Sequence, residues 1–475
     1  MGARAVSPDS PASPQLRMRS LTLLLVLLFG MAYALFTQDP VSHNTICRAG
    51  MTANLVQHGR IDMNGYDSFT RDKAFNKGNY YCDKAPGMSF LAAPAAFAFT
   101  RVIPIGPEDV YGRTWTIFMY LLALTTSGAL CLLAAILLFH EIARRTNDVG
   151  AALVAALAFG LGTPVWGWAT SMFSHAAAAA MLVIGFLFLD RACRQVGQRP
   201  IAIALVAGLA LGGAVAVEYT AFVPAAIIGA VCMLSSDWRR PFDVVKIVAA
   251  AALGGGVALA PVLAFHAAAF GSPFTAGYAY TVEFTGHQAG LFGIGVPRLE
   301  VIGALLVSPD RGVTWYAPVI LATLWAAVRM TARRDLRLPA IATLLIALWY
   351  LLMNAGFEYW QGGASTGPRY LTPALGFAAI ALGLAWPLFR TWERRAAIVL
   401  LGLSILINFA STAVGMTEGG LLDRIAPSFL AGDLRHTLTF HAAGGPSLLH
   451  FAPLLLAGAT LGWLIWREAK RARAS

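Results

Sequence analysis

Asp39 sits in the segment FTQDPVSHN, directly after an apolar run, with Pro40 fixing a turn behind it. A carboxylate at the edge of a bilayer is partly desolvated, which raises its pKa and suits it to take a proton from a hydroxyl. The alternative is a helix-end acid facing water. His43 follows in the same segment. A second group of residues lies in GNYYCDKAPG, where Tyr81 and Lys84 precede a Pro-Gly turn and another apolar run. An ammonium at headgroup level meets a phosphate as a point charge; the plainer reading is a lysine that snorkels. Arg311 in SPDRG and Arg369 in QGGASTGPRYL stand out because they lie among acids and aromatics rather than in the basic clusters. Trp360 and Tyr370 flank the glycines of that second segment. Aromatic faces beside flexible glycines can stack on a sugar while a guanidinium forks onto a phosphate, and the competing reading is an aromatic belt with an anchoring arginine. His175 and Glu218 fall in short polar turns between apolar runs, where ionisable groups are functional candidates by default.

These residues need a scaffold, and composition says which kind. Of the 475 residues 57% are hydrophobic and 12% charged, with a mean hydropathy of +0.64. Soluble domains carry about 25% charged residues, so the excess calls for a bilayer. The sequence predicts an all-α, polytopic membrane protein of about twelve spans: 21–36, 115–139, 149–168, 172–190, 200–216, 219–235, 244–266, 312–330, 338–354, 370–388, 397–415 and 448–466. The expected organisation is a tail at 1–20, one membrane domain over 21–466 with a large extracytoplasmic loop at 37–114, and a basic tail at 467–475. The apolar stretch 89–105 is broken by Pro94 and is read as a surface or re-entrant helix, not a span.

The net charge is +11, but the basic residues sit in short clusters between spans, which argues orientation rather than nucleic-acid binding. With the N-terminus inside, the cytoplasmic side holds 22 Lys/Arg and 9 Asp/Glu, and the other side 13 and 15. That asymmetry predicts both termini in the cytoplasm and chemistry on the outer face. Cys47 and Cys82 share the first outer loop, where an oxidising compartment permits either a disulfide or two free thiols. No metal-ligand spacing of His and Cys occurs, so no metal site is expected.

Taken in order, the first helix followed by QDP, the loop ending in YYCDKAPG, and the later FGSPF, SPDRG and GGASTGPRYL segments resemble the GT-C class of integral-membrane glycosyltransferases. That class includes the bacterial protein O-mannosyltransferases and the lipid A aminoarabinose transferase. The likeness runs from about residue 21 to about residue 375. It implies a sugar donor linked to polyprenyl phosphate, an extracytoplasmic glycan, lipid or protein acceptor, and a plasma (inner) membrane location. It also implies a catalytic base after the first helix, the place Asp39 occupies, and cations near the outer surface for the donor phosphate, for which Lys84, Arg311 and Arg369 are the candidates. Tyr81, Trp360, Tyr370, His43, His175 and Glu218 complete the expected substrate-binding set. The class often pairs two acids where this chain has Asp39-Pro40, a departure from its pattern. A monophosphate leaving group needs less neutralisation than a diphosphate, so neither a divalent metal nor another cofactor is expected. Two other classes fit less well. A transporter or flippase places ionisable groups along mid-span pathways, and a non-catalytic subunit of a glycan assembly would bind the carrier and make no product.

Overall fold

The computed structural model describes residues 14–38, 40–195, 199–443 and 452–473. Asp39 therefore lies outside the described residues. The chain opens with α1 (Pro14–Ala34) and α2 (His43–His58), then a hairpin of β1 (Lys73–Asn76) and β2 (Asn79–Cys82), then α3 (Gly87–Thr100). Helix α4 (Arg113–Ala123) continues through a π-turn at Leu124–Gly128 into α5 (Ala129–Thr146). Next come α6 (Val149–Gly160), α7 (Val165–Ala169), α8 (Ser174–Cys193), α9 (Pro200–Val217), α10 (Phe222–Leu234) and α11 (Pro241–Phe270). After a long irregular loop follow α12 (Leu299–Val307), α13 (Val313–Tyr316), α14 (Ile320–Thr331), α15 (Arg337–Gly356), α16 (Thr372–Ala385) and α17 (Thr391–Val414). The chain ends with α18 (Ala426–Leu430), α19 (Leu438–Ala443) and α20 (Ala452–Arg473).

The protein is a polytopic helical membrane protein. Eight described helical segments are long and apolar enough to cross a bilayer, against about twelve expected spans. Three of the four unmatched segments are interrupted, and the fourth, 448–466, begins outside the described residues. The 149–168 stretch divides into α6 and α7 around Gly160–Pro164, and the 312–330 stretch divides into α13 and α14 at Pro318, where the ring removes a backbone donor. The 219–235 stretch spends its first turn as a 3₁₀ helix, leaving α10 with 13 residues. Helix α3 has 14 residues and spans about 21 Å, short of a hydrocarbon core of about 30 Å.

The sheet is one hairpin in register Lys73↔Cys82, Ala74↔Tyr81 and Phe75↔Tyr80. Its two-residue turn puts Lys77 (φ 48°) and Gly78 (φ 81°) in the left-handed region, the geometry that matches strand twist.

The core is built on α8 and α16, whose spanning windows are almost wholly buried. Both are rich in Ala and Gly, which lets neighbouring helices approach closely. By contrast, α11, α15 and α17 turn residues such as Leu253, Val257, Leu348 and Leu406 outward, the surface a bilayer would cover. Helices α9 and α11 touch backbone to backbone: a Cβ on Gly208 would lie 1.9 Å from the Ala251 carbonyl oxygen, and one on Gly254 would lie 2.1 Å from that of Leu205.

Polar residues collect at the two ends of α8. At its C-terminal end Asp190 pairs with Arg145 and with Arg194 (3.0 Å), and Arg145 Nε reaches Glu141 Oε1 at 2.8 Å. This network ties α5 to α8. The N-terminal end of α8 opens into a cavity about 23 Å away along the axis, by helical rise.

Candidate functional site

A cavity of about 510 Å³ lies at that end of the bundle. Its charged lining comes from five distant segments: Arg48, Asp72 with Lys84, Glu218, Arg369 and Glu418. Aromatic residues of the loop after α11 close one side, among them Tyr278, Phe284, His287 and Phe292.

Arg48 belongs to α2, whose N-cap is Ser42 and which ends at left-handed Gly59. Its Nη1 donates to the Asn44 side chain and to the Met172 carbonyl (3.2 Å), and its Nη2 to Ser174 Oγ (3.2 Å). Ser174 Oγ in turn donates to Glu218 Oε2 at 2.7 Å, and Glu218 also faces His175 Nδ1 at 3.4 Å. Burial draws the Arg48 guanidinium below its ordinary pKa, and Glu218 partly offsets this. Nε of Arg48 is buried without a hydrogen-bond partner among the described residues.

Lys84 is held between two acids, 3.3 Å from Asp72 and 3.2 Å from Asp83. Burial alone would lower its pKa, but the two carboxylates outweigh it and the ammonium ends above its ordinary value. One ammonium cannot fully neutralise both acids. Asp83, fully buried, is pushed up to about 6 by burial, with Lys84 pulling it back and Asp72 adding to the rise. The ammonium also lies 5.4 Å from the Tyr278 ring centre and 5.8 Å from that of Phe284.

Arg369 follows the Gly367-Pro368 turn. Its guanidinium packs over Phe173 (5.1 Å) and Tyr370 (4.9 Å), and Nη2 donates to the Tyr370 hydroxyl at 3.0 Å. Its Nε too is buried with no hydrogen-bond partner among the described residues. Two guanidiniums lining one concave site suit an oxyanion.

The aromatic wall is tightly layered. His287 stacks on Tyr278 with centres 4.5 Å apart. Its imidazole is pushed down to about 4, first by burial and then by Lys84, so it is neutral at neutral pH. Tyr359 accepts a hydrogen bond from the Gly286 N–H at 3.1 Å, which fixes the loop to the segment before Arg369.

Of the residues singled out in the sequence, Lys84, Arg369, Tyr370, His43, His175 and Glu218 line this one cavity. His43 Nδ1 accepts from the Arg71 N–H at 3.3 Å. Arg311, Trp360 and Tyr81 are not on the wall. Arg311 is buried behind it, donating to the carbonyls of Gln361 (2.9 Å) and Gly363 (3.1 Å), so it shapes the glycine loop that lines the cavity. Trp360 packs on the main core, and Tyr81 sits edge-on against Phe265 and Phe270. Their aromatic and cationic character served packing and loop anchoring. Cys47 and Cys82 are joined as a disulfide, with Cα atoms 5.1 Å apart; no free thiolate is left there to ligate a metal beside Asp83.

Sequence reasoning missed Arg48, Asp72, Tyr278, His287 and Glu418. Arg48 carried the same signal as Arg311, a cation on the side poor in cations. Glu418 carried none. It rides on a turn between Gly415 (φ 141°) and Gly419 (φ 119°), and a Cβ on Gly415 would lie 2.8 Å from both Glu418 and His436. Hydrogen bonding to His436 holds the Glu418 carboxyl below its ordinary range.

No family model matches the chain, and no curated protein matches it by sequence. Solved structures match by shape. ArnT from Cupriavidus metallidurans bound to undecaprenyl phosphate superposes with a TM-score of 0.54 at 13% identity, over 97% of this chain and 77% of that one. The apo oligosaccharyltransferase of Archaeoglobus fulgidus gives 0.50 at 12% identity, over 92% of this chain and 59% of that one. In fold, then, the chain resembles the GT-C class of integral-membrane glycosyltransferases.

Proposed function

We propose that the protein is a membrane glycosyltransferase that moves a sugar from a polyprenyl-phosphate carrier to an extracytoplasmic acceptor hydroxyl, working in the plasma (inner) membrane with both termini cytoplasmic. The observation that carries this reading is the pair of guanidiniums, Arg48 and Arg369, that line one cavity together with Lys84. The fold is shared with a protein crystallised with undecaprenyl phosphate.

In the proposed reaction the donor phosphate lies against Arg369 and Arg48, with Lys84 adding charge from beside Asp72. The acceptor oxygen attacks the anomeric carbon in line, with inversion. Its proton passes to the Asp39 carboxylate. The bond from the anomeric carbon to the phosphate oxygen breaks, and the electron pair stays on the released polyprenyl monophosphate. The cations stabilise that developing charge, usually the larger contribution. The assignment of Asp39 rests on chain position: Val41 and Ser42, two and three residues on, line the cavity, and Trp115 Nε1 fixes the Pro40 carbonyl at 2.8 Å. A divalent metal is not part of the proposal. The disulfide in the 37–114 loop supports placing that loop outside, independently of the charge asymmetry.

The test is transfer from a labelled undecaprenyl-phosphate sugar by purified protein in liposomes, with mass analysis of surface glycans and lipid-linked sugars in a deletion strain. New glycosidic product that disappears with the deletion supports the reading. Movement of the labelled lipid across the bilayer without product would favour a flippase, and binding without either would favour a non-catalytic subunit.

A further inference from the structure

Arg48 and Lys84 come from different segments, yet each lies beside one half of the same disulfide. Cys47 precedes Arg48 in α2, and Cys82 ends β2 two residues before Lys84. We propose that the Cys47–Cys82 bond is a positioning element of the cavity, fixing Arg48 and Lys84 relative to each other so that both reach one lipid-linked phosphate. This rests on the functional reading above.

The remaining connections explain why a covalent tie matters there. Hydrogen bonds also cross from α2 to the segment before β1, Thr70 Oγ1 to the His43 carbonyl at 2.7 Å and the Arg71 N–H to His43 Nδ1 at 3.3 Å, and they reach Lys84 through Asp72. Lys84 pairs with Asp72 and Asp83, which flank the hairpin that carries it. Arg48 bonds to Asn44 on its own helix and to Met172 and Ser174 at the start of α8. Another polar link from α2 goes past the hairpin to α3: Ser89 Oγ donates to the Arg48 carbonyl at 3.0 Å, and Thr52 Oγ1 to the Ser89 carbonyl at 3.3 Å. Those bonds hold α2 against α3 whether or not the sulfurs are joined. The hairpin packs in a small apolar cluster of Met51, Met63, Tyr81, Phe265 and Phe270 around the two sulfurs, and it is hydrogen-bonded to the loop before it (Met63 N–H to the Tyr80 carbonyl, 2.8 Å; Tyr80 N–H to Asn64 Oδ1, 2.8 Å) and to the end of α11 (Asn76 Nδ2 to the Ala269 carbonyl, 2.7 Å), but its covalent tie to α2 beside Arg48 is the disulfide. Losing the disulfide therefore leaves the bundle assembled and removes the covalent tie between the segments of Arg48 and Lys84, leaving their relative position to hydrogen bonds and apolar contact. Both sulfurs are buried, Cys47 0% and Cys82 1% exposed, so a Ser at either place would bury a hydroxyl and Ala is the cleaner replacement.

The experiment titrates undecaprenyl phosphate into full-length protein in detergent, comparing wild type, Lys84→Ala, the Cys47→Ala/Cys82→Ala variant and the triple variant, with a melting curve for each. Binding by the disulfide-free protein is expected to weaken roughly 10-fold, while Lys84→Ala costs about 10-fold in the oxidised protein but less than about 3-fold without the bond, a non-additivity expected of coupled groups. A merely structural disulfide would lower the melting temperature and leave the two losses additive, and that result overturns the inference. Equal affinity with and without the bond overturns it as well. Should the double alanine variant fail to fold, Cys47→Ala/Cys82→Val refills the volume and takes its place under the same criteria. If the wild-type protein itself does not bind undecaprenyl phosphate, the functional reading falls and this inference with it.

Discussion

Gln38 grips the backbone around Met416 from two sides. Its Oε1 accepts from the Met416 N–H at 2.8 Å, and its Nε2 donates to the Thr412 carbonyl at 3.0 Å. The same short stretch pairs with residues 436 and 437: the Thr37 N–H donates to the His436 carbonyl at 2.9 Å, and Phe36 bridges Thr437. The chain leading into Asp39 and the turn carrying Glu418 are thus one mechanical unit, although they lie nearly four hundred residues apart.

Asp39→Asn tests the proposed base. Transfer is expected to fall below about a tenth of the wild-type rate, since base catalysis contributes about 10²–10⁴-fold. Affinity for undecaprenyl phosphate should hold within about 3-fold, because the amide removes proton acceptance and leaves the cations in place. Retained transfer would remove the assignment.

The Glu418 turn gives a second test. Gly415→Ala places a side chain at φ 141°, in a region almost reserved for glycine, at a cost of about 1–3 kcal/mol. It also pushes on Glu418 and His436. The expected outcome is a lower melting temperature together with reduced transfer. Glu418→Gln, which keeps the backbone, should reduce transfer without the melting shift.

Arg311 and Arg369 separate cleanly. Arg311→Ala removes two buried bonds to loop carbonyls, a loss of about 3 kcal/mol in stability. Arg369→Lys keeps the charge but loses the fork, so melting should change little while undecaprenyl phosphate binding weakens about 10-fold. If Arg311→Ala leaves melting untouched and abolishes binding, the roles assigned to the two arginines are reversed.

Asp83 sets a pH dependence. Its carboxyl is pushed up to about 6 by burial, so the folded protein binds this proton more tightly than the unfolded chain does. The sign follows by linkage: the stability contributed is present below the ordinary Asp pKa and is lost as pH rises toward about 6. Melting curves from pH 4 to pH 7 should show a fall over that window in wild type and a flatter one in Asp83→Asn.

The membrane class, the first long loop and six of the cavity residues were legible because each leaves a local trace. Apolar runs mark helices, and Lys84 or Arg369 stands out against a cation-poor side. Span number was less legible, since Pro318 or Gly162 inside an apolar run does not announce whether it bends a helix or ends it. Arg311 and Arg369 look alike in sequence: both are outer arginines next to glycine or proline. Only the fold separates a guanidinium that spends its donors on Gln361 and Gly363 from one that lines the cavity. The place of Glu418 depends on His436 and on the bonds that Thr37 and Gln38 make to His436 and Met416, pairings that no window of sequence contains.

The backbone contact between α9 and α11 reaches further than packing. Helix α11 carries the aromatic loop of the cavity at its end, and Gly208 and Gly254 let it lie flush along α9. A methyl at either glycine would act as a wedge, tilting a 30-residue rod whose far tip holds Tyr278 and His287. The shape of the cavity wall is thus set by leverage from glycines buried along the helix, well away from the residues that line the cavity.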